Sequence, residues 1–102
     1  MNNQRVWFIT GASSGFGLEM TKQLLTNGNK VAATSRNKGK IIEKLGGNNP
    51  NLLALTVDIT NEEEVKQAIA NTVQTFGKID VAVNNAGYML LGSLEEVTKE
   101  EY

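Results

Sequence analysis

The 102-residue chain contains no cysteine and no histidine. Without cysteine there is no disulfide framework, no thiolate nucleophile and no thiolate-bound metal. Without histidine as well, the usual zinc sites and any Ser-His-Asp triad are excluded. Proline occurs once, and aromatic residues make up only 6%. No apolar run approaches the roughly 20 residues that cross a bilayer. Met1-Asn2-Asn3-Gln4-Arg5 leads directly into a strand-like stretch, without the apolar centre of a secretory signal. A cytoplasmic protein with no membrane partner is therefore expected. Neither sign of charge dominates: 10 Lys+Arg face 11 Asp+Glu, so nothing draws the chain globally toward nucleic acid.

What is present is an ordinary folding composition, 40% apolar and 21% charged. The length allows one domain, residues 1–102, with one modest core. The charge is locally uneven. Lys22, Lys30, Arg36, Lys38, Lys40 and Lys44 stand against Glu43 alone, and Glu95, Glu96, Glu100 and Glu101 stand against Lys99. Each cluster is by default a solvated face.

Short apolar runs alternate with stretches of helical period. Strands are expected at 5–10, 30–35, 52–57 and 79–83, and their runs do not alternate cleanly with polar residues, which suits a parallel sheet covered on both faces. Between them, a helix is expected over 15–27 with Phe16, Met20, Leu24 and Leu25 on one side, and a short one over 39–45. The clearest helix covers 61–76. Val65, Ala68, Ile69, Thr72, Val73 and Phe76 share one face of it, Thr60 or Asn61 can cap it, and Glu62, Glu63 and Glu64 suit its positive end. A further helix begins near Ser93. The alternation implies an α/β fold with right-handed crossovers.

Thr10-Gly11-Ala12-Ser13-Ser14-Gly15-Phe16-Gly17 lies where the first strand passes into the first helix. Gly11 can take the positive φ of a tight turn, Gly15 lets backbone approach a phosphate, and Gly17 permits close packing of helix on strand. The first helical amides then face an anion that the helix dipole also favours. The spacing G-x-x-x-G-x-G, with no Gly-Lys-Ser/Thr after it, rejects a nucleoside-triphosphate loop.

With this turn the sequence resembles the short-chain dehydrogenase/reductase family, whose T-G-x-x-x-G-x-G motif is matched by Thr10, Gly11, Gly15 and Gly17. Two more features fit in order: Asp58 just after the third strand, and Asn84-Asn85-Ala86-Gly87 after the fourth. The likeness runs from about residue 5 to the end of the chain. It implies a Rossmann-type doubly wound parallel sheet of order 3-2-1-4, truncated after the fourth strand, that binds a nicotinamide dinucleotide. By this resemblance the turn residues Thr10, Gly11, Ser13, Ser14, Gly15, Phe16 and Gly17 hold the cofactor, Asp58 and its neighbour Ile59 meet the adenine, and Asn84, Ala86 and Gly87 line the ribose and nicotinamide side. Asn84 would also tie the fourth strand to its neighbours.

The end of the second strand discriminates between dinucleotides. An acid about 20 residues past the glycines would bind ribose hydroxyls and repel a 2′-phosphate. Here Arg36 lies 19 residues after Gly17, in Thr34-Ser35-Arg36-Asn37-Lys38, with no acid near it. A guanidinium grips a phosphate through a two-pronged, charge-assisted bond, and Ser35 can add a hydroxyl. NADP(H) is therefore the expected cofactor, with NAD(H) possible. One departure is Ser14, where many NADP-preferring members of the family carry a basic residue.

The chemistry that the resemblance implies is hydride transfer between the nicotinamide and a small carbonyl or alcohol, using a Tyr and a Lys four residues later. Tyr88 is followed at that distance by Gly92, and Tyr102 is the last residue, so no Y-x-x-x-K is present. A phenol of pKa about 10 needs such a neighbour near neutral pH. The resemblance thus implies the cofactor-binding amino-terminal part of an oxidoreductase, inactive by itself, marginally stable with Ile79, Val81 and Val83 on an unpaired edge, and homo-oligomeric when full length. The alternatives are a dinucleotide-binding module without turnover and an inactive remnant. A methyltransferase of similar layout is disfavoured because Arg36 stands where an acid would hold its cofactor's ribose.

Overall fold

The computed structural model describes residues 4–85, in which strands and helices alternate. In chain order they are β1 (Val6–Ile9), α1 (Gly15–Thr26), β2 (Lys30–Ser35), α2 (Lys38–Lys44), β3 (Leu52–Thr56), α3 (Glu62–Phe76) and β4 (Val81–Val83). The strands form one parallel sheet in the order β3-β2-β1-β4. This is the doubly wound order that the family resemblance implies.

Successive side chains of a strand point to opposite faces, and here both faces are apolar. One row across the sheet, Ala82-Phe8-Ala32-Leu53, faces α3. Phe8 and Ala32 pack there with Val57, Val65, Ala68, Ile69 and Ile79. A single large ring flanked by two alanines leaves room for a helix to seat against the sheet. The next row, Val83-Ile9-Ala33-Ala54, faces the other way. Ile9, Val31, Ala33 and Ile41 form the buried centre of that layer, with Met20, Leu24 and Leu25 of α1 packed against it.

Three helix ends reflect local chemistry directly. The Asn61 side chain accepts from the Glu64 amide at 3.2 Å, and Glu62, Glu63 and Glu64 occupy the first turn of α3. Gly77 closes that helix at φ 91°, a left-handed conformation that costs glycine little. Asn37 caps α2 by accepting from the Gly39 amide at 2.9 Å.

Several sequence expectations need correction. Phe16 is not on the buried side of α1: it is 68% exposed, and Gly17 and Thr21 are the buried positions. Of the expected stripe, Met20, Leu24 and Leu25 pack against the sheet, while Phe16, the second residue of the helix, does not. Val73 likewise is 38% exposed, because the sheet that α3 covers lies under Val65, Ala68, Ile69 and Thr72. Arg5 and Thr10 fall outside β1, and Val57 outside β3. Ile79 precedes β4 rather than lying on the sheet's edge, and it is buried among the residues beneath α3. Val81 and Val83 do lie on β4, which pairs only with β1 among the described residues. The expected helix after Ser93 lies outside the described residues.

Candidate functional site: the glycine turn at the carboxyl edge of the sheet

Parallel strands all end on one side, so Thr10-Gly11, Ser35-Arg36, Val57-Asp58 and Asn84-Asn85 are brought to the same edge. From β1 the chain winds through α1, β2 and α2 to β3 in one direction, while β4 lies on β1's other side. The crevice at that reversal is where open α/β sheets bind ligands.

The turn itself is held at several points. The Ala12 amide donates to the Thr34 carbonyl at 3.0 Å, joining the turn to the end of β2. The Thr10 amide donates to the Val83 carbonyl at 3.1 Å, and its hydroxyl donates to Asn84 Oδ1 at 2.9 Å, joining it to β4. Asn85 Nδ2 donates to the Gly11 carbonyl at 3.3 Å. Gly11 and Gly15 have φ of 64° and 59°, the left-handed region that favours glycine. Gly17 is required for a different reason. A Cβ there would stand 2.4 Å from the Gly11 carbonyl oxygen.

α1 begins without a cap of its own. Ser14 is the N-cap residue, extended at φ −160°, and its side chain makes no capping bond; no acid lies in the first turn. The opening amides of a helix have no intrahelical acceptor, and they carry the positive end of its dipole. At Gly15, the first residue of the helix, an added Cβ would meet nothing within 4 Å. Phe16 stands exposed next to it.

Arg36, one residue past β2, is exposed and has no ion pair among the described residues. Ser35, expected to add a hydroxyl to a phosphate site, is engaged with Asn37 in this structure. Its hydroxyl is buried, donates to the Asn37 carbonyl at 2.9 Å and accepts from the Asn37 amide at 3.0 Å. These two bonds span Arg36 and close the backbone turn around it.

Asp58 Oδ1 accepts from both the amide and the hydroxyl of Thr60, at 3.0 and 2.6 Å. These bonds, with a smaller contribution from the Arg36 charge, hold the carboxyl below its ordinary pKa. The carboxylate is ionised and oriented, with Oδ2 left without a partner among the described residues. Ile59 packs under α3 with the Phe8 cluster. Ala86 and Gly87 lie outside the described residues.

Two contacts were not visible in the sequence: Asn85 on Gly11, and Lys44, whose Nζ donates to the Ser13 carbonyl at 3.0 Å. They join residues 74 and 31 positions apart, with no local pattern to announce them. Among the described residues no cluster of acids could hold a metal, and no helix is long and apolar enough to cross a membrane.

Sheet order, turn and switch point define a Rossmann-like α/β protein. The chain belongs to the short chain dehydrogenase family, whose model matches residues 5–102. It is 34% identical over 101 residues to oxidoreductase BOA17 of Botryotinia fuckeliana, covering 96% of this chain and 36% of that protein. A 3-ketoacyl-(acyl-carrier-protein) reductase of Brucella melitensis, solved with NADH, superposes with a TM-score of 0.67 at 34% identity, over 76% of this chain and 32% of that one. The N-domain of a bacterial malonyl-CoA reductase, solved with NADP, gives a TM-score of 0.72 at 31% identity, over 82% of this chain and 17% of that one. The chain spans about a third of the length of the first curated relatives it matches, between 32% and 36% of each.

Proposed function

We propose that this chain supplies the cofactor site of an NADP(H)-dependent oxidoreductase acting between a small carbonyl and its alcohol. The observation that carries this reading is the uncapped start of α1 beside open space at Gly15, at the sheet's switch point. A dinucleotide fits the residues present. The amides of Gly15, Phe16 and Gly17 would face its diphosphate, with Thr10, Gly11, Ser13 and Ser14 shaping the turn. Asp58 would accept from the adenine amino group through its unpartnered Oδ2, with Ile59 beside it. Asn84, Ala86 and Gly87 would lie toward the nicotinamide. Bound there, the nicotinamide supplies hydride transfer. The chain's own residues bind and orient.

Solved relatives hold both NADH and NADP, so preference must come from this chain's own charges. Arg36, exposed and without a carboxylate partner among the described residues, supports NADP(H). Charge-assisted hydrogen bonds contribute about 1.5–3 kcal/mol, which corresponds to a preference of roughly 10- to 150-fold.

Replacing Arg36 with Asp tests this. NADPH binding should weaken far more than NADH binding, measured by fluorescence titration of both. Equal losses would refute the assignment of NADP(H).

A further inference from the structure

Lys44, in the last turn of α2, donates from Nζ to the Ser13 carbonyl at 3.0 Å. Helical side chains lean toward the helix amino terminus, and that lean carries this ammonium up to the carboxyl edge of the sheet. A peptide carbonyl is neutral and takes one of three N–H donors, so the ammonium keeps its charge and two donors. Among the described residues it has no carboxylate partner.

The place it reaches is defined by the bond between the Ala12 amide and the Thr34 carbonyl. Ser13 is the next residue after Ala12, and Ser35 and Arg36 are the next two after Thr34. Lys44 Nζ is therefore held one residue from the point where the turn joins β2, and Arg36 follows two residues beyond that point on the other chain segment. The acid whose charge couples to Arg36 is Asp58, and its carboxylate is bound to Thr60. Lys44 and Arg36 have no ion-paired acid of their own among the described residues.

A phosphate monoester carries between about −1.5 and −2 charges at neutral pH. Arg36 alone would leave about a third to a half of that unmatched. We infer that Lys44 is a second specificity-determining residue: held on the Ser13 carbonyl, its ammonium takes an oxygen of the 2′-phosphate opposite Arg36. This inference rests on the NADP(H) reading above. It assigns to α2 the basic group that position 14, a serine, does not supply.

The test is equilibrium binding of NADPH and NADH to the full chain and to its Lys44→Met, Lys44→Arg and Arg36→Ala variants. Lys44→Met should weaken NADPH about five-fold, the upper end for an exposed ion pair, and leave NADH within about two-fold. Lys44→Arg should restore NADPH binding. The NADH affinity doubles as a check that each variant is folded. Equal weakening of both dinucleotides would make Lys44 a latch on the turn and overturn the inference, as would unchanged binding of both. If Arg36→Ala alters the NADPH/NADH ratio while Lys44→Met does not, only the role of Lys44 fails. If neither alters it, the NADP(H) reading itself fails.

Discussion

Gly17 and Asn85 meet with no room for a methyl group between them: a Cβ on Gly17 would stand 2.7 Å from Asn85 Nδ2 and 2.4 Å from the Gly11 carbonyl oxygen. The second contact is with backbone, which cannot swing aside as a side chain can. Helix α1, the glycine turn and the end of β4 are thus locked together by the smallness of one residue.

Gly17→Ala should therefore destabilise the fold by about 1–3 kcal/mol, the usual cost of overpacking a closed site. Chemical denaturation measures it, and an unchanged midpoint would show that the turn yields. Asn85→Ala makes a useful partner, because it removes one of the two clashes and should recover part of the loss.

Gly15→Ala separates stability from binding at the neighbouring glycine. Its Cβ would touch nothing in the protein, but φ of 59° is strained for alanine, at a cost of about 1–2 kcal/mol. The added methyl enters the space through which a diphosphate would approach the amides. NADPH and NADH affinities should fall together in calorimetric titration, since both carry the diphosphate. Undiminished affinity would move the diphosphate elsewhere.

Asp58 gives a prediction in pH. Its folded pKa is lowered, chiefly by the Thr60 hydroxyl and amide. A carboxyl depressed in this way stabilises the fold above its unfolded value and loses that contribution as pH falls through the lower folded one. Thr60→Val removes the hydroxyl, so the Asp58 carboxyl should titrate closer to the ordinary 3.8 when followed by NMR. The stability gap between wild type and variant should narrow below that pH. An unshifted Asp58 titration would assign the depression to another cause.

The element order and the parallel sheet were legible because they follow from local rules, whereas the strand order came with the family resemblance that the glycine turn carries. The Val65-Ala68-Ile69-Thr72 stripe fits only a helix, Asn61 caps it, and apolar strands interleaved with helices leave few topologies other than a parallel sheet. The glycine turn was legible because glycine alone adopts its backbone freely. Phe16 was misread because a helical stripe marks where apolar side chains could pack, and of this stripe only Met20, Leu24 and Leu25 join the buried layer. Ile79 shows the complement. It is buried as a strand residue would be, yet stands before β4, since burial alone produces the apolar signal. Lys44 on Ser13 and Asn85 on Gly11 exist only once the crossovers have been made.

The proposed function depends on the opening amides of α1 holding a dinucleotide's diphosphate. Its most direct test is a ¹⁵N-edited NMR titration of the chain with NADPH. The Gly15, Phe16 and Gly17 amide resonances should move the furthest and saturate together. Those three resonances standing still at saturating NADPH would contradict it.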